Sequence, residues 1–140
     1  MVYKYGKLFK EVLTNEIICA SYDIGQNYYI FIQDMLKKGY QQCIVTSDIM
    51  VKIMEYFILN DSVEVTSIEF MVEEDELEKE IATLLKSMKK NLGYWNILQK
   101  KISFLSENDC IEIKKVDFRK IVDAGSLFSV QVNGIVTVSD

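Results

Sequence analysis

The sequence predicts an α+β fold: a mixed or antiparallel sheet of about five strands with helices packed on one face and a C-terminal β-hairpin. Three observations carry that prediction. Val63 to Val72 is rich in β-branched and aromatic residues and reads as a strand. Directly after it, Leu77, Ile81, Leu84, Leu85, Met88, Leu92 and Trp95 recur at three- and four-residue steps, which sets them on one face of a helix. Near the end, Asn133-Gly134 lies between two β-branched runs, and that pair favours a two-residue type I′ hairpin turn.

Taken in order, the chain begins with Tyr5, Leu8, Phe9, Val12 and Leu13 at helical spacing, so a short helix is expected over Tyr3 to Leu13. Glu16 to Tyr22 is an apolar run of either type, and Asp23-Ile-Gly-Gln-Asn27 reads as a turn. Tyr28, Ile32, Met35 and Leu36 predict a helix over Tyr28 to Lys38, stopped by Gly39. Residues 42 to 46 form a strand candidate, and Thr46-Ser47-Asp48 offers capping chemistry for a helix from Ile49 to Leu59, closed by Asn60-Asp61. Strand, helix and strand in that order have the size of a right-handed βαβ crossover, which would put Ser47 and Asp48 at the carboxyl end of a parallel strand.

The central helix has Glu73, Glu74, Asp75 and Glu76 at its start and Lys86, Lys89 and Lys90 at its end, as the helix dipole favours. Asn91-Leu-Gly93 then predicts a turn into a second helix carrying Trp95, Leu98, Ile102 and Leu105, in preference to one continuous helix over 73 to 105. Cys110 to Val116 alternates like a strand, and Asp117 to Asp123 reads as a short helix or irregular link ending at Ala124-Gly125. Strands over 127 to 132 and 135 to 139 complete the hairpin.

A chain of 140 residues is expected to be a single domain, 1–140, able to bury a core without disulfides or metals. Its apolar runs stop far short of the roughly 20 residues that cross a bilayer. The N-terminus lacks a secretory pattern, so a cytoplasmic location is expected. Cys19, Cys43 and Cys110 are odd in number and far apart, which argues for reduced thiols and against a zinc finger. With no histidine present, imidazole bases, Ser-His or Cys-His nucleophiles and H-E-x-x-H metal sites are excluded. Lysine supplies every basic residue except Arg119, and proline is absent; this resembles an AT-rich coding bias, as in low-GC bacteria or their mobile elements.

The net charge of −5 disfavours tight nonspecific phosphate binding and suits a basic protein partner. The function expected is therefore a non-catalytic protein-binding module, in an inhibitor, immunity-type or complex-subunit role, acting through an acidic surface. Its contact residues would be Glu73, Glu74, Asp75 and Glu76, with Tyr28 and Tyr29 from an aromatic-rich N-terminal region. Self-association, with the helices at 73 to 105 or the aromatic N-terminus as the contact, is a variant. No metal site and no cofactor are expected.

An alternative is a metal-dependent phosphoryl-transfer enzyme or nuclease. Glu112-Ile-Lys114 has the E-x-K form in which a carboxylate holds a divalent ion and a lysine steadies the attacking water, with Asp48, Glu64 and Glu69 as further carboxylates. The catalytic candidates are thus Asp48, Glu112 and Lys114. A second alternative is a nucleic-acid-binding accessory protein using Lys86, Lys89, Lys90, Lys100 and Lys101 beside Tyr94 and Trp95.

Overall fold

The sheet is organised around its first strand. A computed structural model describes residues 3–23, 25–60, 63–121 and 126–139. Among these the chain forms β1 (Tyr3–Glu11), β2 (Ile17–Tyr22), α1 (Tyr28–Lys37), β3 (Tyr40–Gln42), α2 (Ser47–Asn60) and β4 (Val63–Phe70). Then follow α3 (Asp75–Lys90), α4 (Tyr94–Asp109), β5 (Ile113–Lys120), β6 (Leu127–Gln131) and β7 (Ile135–Ser139). The strands pair in the order β2-β1-β7-β6-β5-β4, with β3 beside the far end of β1. Every pairing is antiparallel. The fold is α+β, with a seven-stranded sheet among the described residues.

Two apolar clusters lie on opposite faces of this sheet. The larger joins Met50 and Met54 of α2, Leu77, Ile81, Leu85 and Met88 of α3, and Trp95, Leu98, Ile102 and Leu105 of α4 to strand residues such as Val65, Ile113, Val116 and Phe118. The smaller joins Phe9 of β1 to Phe31, Ile32 and Met35 of α1. Leu8 packs on the first cluster and Phe9 on the second, as neighbours on a strand must when both faces are covered. Three helices thus share one face, and α1 packs on the other.

That double coverage explains the clearest departure from expectation. Tyr3 to Leu13 is a strand, β1, and not a helix. With apolar residues needed on both faces, the two-residue alternation is lost, and the remaining spacing imitates a helix. Val12 and Leu13, 51% and 89% exposed, belong to the turn after the strand and to neither cluster. Glu16 to Tyr22 resolves into β2.

The βαβ crossover is also overturned. β3 ends at Gln42 and pairs antiparallel with β1, whereas β4 lies at the opposite edge, paired with β5. Residues 43 to 46 run on outside the ladder, held by Cys43 N to Leu8 O at 3.1 Å and Val45 N to Val132 O at 2.8 Å. β5 continues through Asp117 to Lys120, in place of the short helix or link that the sequence predicts there. Residues 122–125, including Ala124-Gly125, and likewise Ile24 and Asp61, lie outside the described residues.

The helix ends follow local chemistry. Asn27 Oδ1 accepts from Ile30 N at 3.2 Å to open α1, and Gly39, at φ +91°, follows its end. Thr46 Oγ1 accepts from Ile49 N at 3.4 Å over the first turn of α2. Between α3 and α4 the turn at 91 to 93 is real: Asn91 Oδ1 accepts from Gly93 N at 2.8 Å, dividing two helices of 16 residues each.

The C-terminal hairpin has a different turn from the one its Asn-Gly pair suggests. Gly134 has φ +84°, but Asn133 is not in the left-handed region, and Gly134 N donates to Gln131 O at 2.9 Å. Val132, Asn133 and Gly134 therefore form a three-residue loop, a type I turn closed by a left-handed glycine. The reason lies in what surrounds it, since a Cβ on Gly134 would stand 2.6 Å from the Cys43 carbonyl oxygen and 3.3 Å from that of Leu8. Gly134→Ala should lower unfolding free energy by at least about 1–2 kcal/mol. Chemical denaturation followed by the fluorescence of Trp95, the single tryptophan, measures it.

Candidate functional site

The carboxylate of Glu112 is held on both oxygens by serines from two different helices. α4 is capped by Cys110, whose left-handed backbone (φ 52°) turns the chain toward β5, and Ile111 N returns to Leu105 O at 2.9 Å. Glu112 follows, and its own carbonyl accepts from Met71 N at 2.9 Å, which fixes the exit from β4 against it. Ser106 Oγ on α4 donates to Glu112 Oε1, and Ser47 Oγ, at the start of α2, donates to Glu112 Oε2. Ser47 also accepts from Ile113 N at 3.0 Å in a buried position. One carboxylate thereby ties two helices to the first residue of β5.

The two serine donors, Ser106 foremost and then Ser47, hold the Glu112 carboxyl below its ordinary range, against an opposing effect of burial. An ionised carboxylate with both oxygens engaged is a weak proton acceptor, and Ser47, only 4% exposed, is poorly placed to meet a substrate. The group is better suited to holding structure and presenting negative charge. It opens on a cleft of ≈ 440 Å³ lined by Thr46, Ser47, Asp48, Ser106 and Glu112, with Ile44, Met71 and Val132 at its apolar side. Among the described residues no lysine or arginine lines it.

Of the catalytic candidates, Asp48 and Glu112 meet at this cleft, and Lys114 does not: its ammonium lies 3.4 Å from Glu69 on β4. Glu64 is held elsewhere, by Arg119 and by Lys89 at 3.7 Å. Among the described residues, no three His, Cys, Asp or Glu side chains stand close enough together to hold a metal ion.

The other candidates are spread over the surface. Glu73, Glu74, Asp75 and Glu76 are exposed, and none forms an ion pair among the described residues. Tyr28 and Tyr29 are on α1, 37% and 71% exposed, with Tyr28 edge-on to Tyr22. Lys86, Lys90 and Lys100 are exposed on the helical hairpin, while Lys89 pairs with Glu64 and Lys101 with Glu80 at 3.2 Å. Trp95 is buried in the large cluster, its indole N–H without an acceptor among the described residues, so it offers no face for stacking a base.

Sequence reasoning does not find Ser106, because nothing local marks it. It is one serine in a helix, and its role emerges only when the turn at Cys110 brings Glu112 back beside it. Compared with family models, curated proteins and solved structures, the chain matches none of them.

Two outcomes test the Glu112 brace. Ser47→Ala leaves the buried Ile113 N–H without an acceptor and should cost about 1–3 kcal/mol of unfolding free energy. Because the Glu112 pKa is depressed in the folded state, its contribution is present above the ordinary carboxylate range and is lost as pH falls through the folded value. Stability against pH should therefore fall on the acid side, and Glu112→Gln should flatten that fall, read by thermal unfolding from neutral to acid pH.

Proposed function

We propose that this chain is a non-catalytic protein-binding module whose acidic pole receives a basic protein partner. The observation that carries this reading is the gathering of acids at one end. Because α3 and α4 run antiparallel through the turn at 91 to 93, the start of α3 lies beside the end of α4. The Met71 to Glu112 backbone bond places the β4–α3 link against the cleft. Asp48, Glu73, Glu74, Asp75, Glu76, Glu107, Asp109 and Glu112 therefore share this pole, and none is in an ion pair among the described residues.

Elsewhere Glu64, Glu69, Glu80 and Asp117 are paired with cations, while Glu11, Glu16, Asp23, Asp34, Glu55 and Glu78 are scattered and in no ion pair among the described residues. Within the acidic pole Ile44, Met71 and Val72 are 68%, 52% and 42% exposed. Exposed apolar side chains beside a gathering of acids suit a partner segment that is both basic and amphipathic, drawn in by the field and held by apolar contact. The wide spacing of the remaining carboxylates gives less support to a metal-dependent reaction, which needs several ligands on one ion.

Affinity capture from the native cell, with bound proteins identified by mass spectrometry, tests this. The wild-type chain should retain a basic protein that is released as salt is raised. The Glu73→Lys/Glu74→Lys/Asp75→Lys/Glu76→Lys variant, folded by circular dichroism, should lose it. Equal retention by both chains, or capture of no protein at all, would count against the reading.

A further inference from the structure

The two edges of the sheet are built differently. β4 carries Glu64 and Glu69 and breaks register with β5 twice, between Val65 and Ser67 and between Glu69 and Phe70. Charges and irregularities of this kind keep an edge from pairing with another strand. β2, at the other end, is Ile17-Ile-Cys-Ala-Ser-Tyr22, with no charge, no proline and an unbroken six-residue register against β1. Its outer side meets no strand among the described residues, so alternate backbone N–H and C=O groups point outward along it.

The strand is also backed by apolar packing on one face. Ile18, Ala20 and Tyr22 pack against the α1 cluster, and Tyr22 contacts both Tyr28 and Phe31. The alternate residues Ile17, Cys19 and Ser21 are exposed. A preformed strand that need not be ordered on binding loses little entropy when another strand joins it.

We infer that β2 pairs antiparallel with β2 of a second copy of this chain across a two-fold axis, continuing the sheet from one molecule into the next. Charge selects the occupant. The molecule carries a net −5, yet the six residues of this strand carry none of it, so no like charges face one another across the paired residues; the flanking acids Glu16 and Asp23 lie just beyond the strand's ends. A basic partner finds no counter-charge on β2. An antiparallel strand pair is self-complementary, the arrangement a two-fold dimer requires. Ile17, Cys19 and Ser21 of each copy then stand on one face within contact of the same neutral residues of the other.

Sedimentation velocity on the purified protein alone tests this, independently of any partner at the acidic pole. With rising concentration the wild type should pass from monomer to dimer. Cys19→Lys and Ser21→Lys each put charge beside the axis and should weaken the dimer at least about ten-fold with circular dichroism unchanged, so that either folded variant suffices. Leu59→Lys, exposed near the end of α2 and next to β4 at the opposite edge of the sheet, should leave the equilibrium as it is. Hydrogen exchange should show β2 amides gaining protection with concentration. A wild type that stays monomeric throughout, or a dimer that survives the β2 substitutions, would overturn the inference.

Discussion

The structure depends on the pairing of β1 with β7. Tyr3 to Lys7 run antiparallel to Ile135 to Ser139, and Leu8 N continues the seam to Gly134 O at 2.8 Å. On one side of it stand β1, β2, β3 and α1; on the other stand β4 to β7, with α2, α3 and α4 on one face. Joining groups so distant in sequence carries a loop-closure cost that grows slowly with length, and the interactions along the seam must exceed it. They are dense. Lys7, 1% exposed, donates from Nζ to Asn133 O and sits 5.8 Å from the Tyr28 ring centre, so it links the hairpin loop to α1. Cys43 N bonds Leu8 O, and Gly134 lies too close to both carbonyls to admit a side chain.

A second junction, smaller but of similar logic, sits at Glu112. Ser47 and Ser106 come from different helices, and the carboxylate between them places the start of α2, the end of α4 and the entry to β5 at fixed positions. That arrangement also gathers negative charge. The pole that results combines a braced carboxylate, the unpaired acids of the α3 start and exposed apolar residues, and it is this combination, more than the overall charge, that makes a basic protein partner the reading of choice. Lysines on the helical hairpin are partly neutralised by Glu64 and Glu80, which limits the phosphate-binding surface that their sequence spacing suggests.

The parts legible in the sequence are those whose environment is one-sided. α3 faces the sheet with Leu77, Ile81, Leu85 and Met88 and water with its charges, so its period shows through. Asn91 and Gly93 mark the turn because their chemistry is local. β1 is unreadable for the opposite reason: Leu8 and Phe9 serve different clusters, and Lys7 looks like a surface residue until Asn133 and Tyr28 enclose it. The hairpin is legible but its loop is not, because the tertiary approach of Cys43 selects the conformation. In the candidate site, Asp48 and Glu112 are visible as residue types, whereas Ser106 acquires its place only from the backbone reversal at Cys110.

The seam between β1 and β7 also sets an order of events during synthesis. Chains fold from the N-terminal side as they emerge, and an isolated two-stranded ribbon is marginal in water. While residues 43 to 134 are still being added, β1 and β2 have the strand nearest in sequence, β3, only at the end of β1, and the place beside Tyr3 to Lys7 stays open. Residues 135–139 of the same molecule fill it last. Until those residues emerge, then, the nascent chain carries an open β1 flank next to the uncharged β2, a period in which shielding by a chaperone has the most to protect.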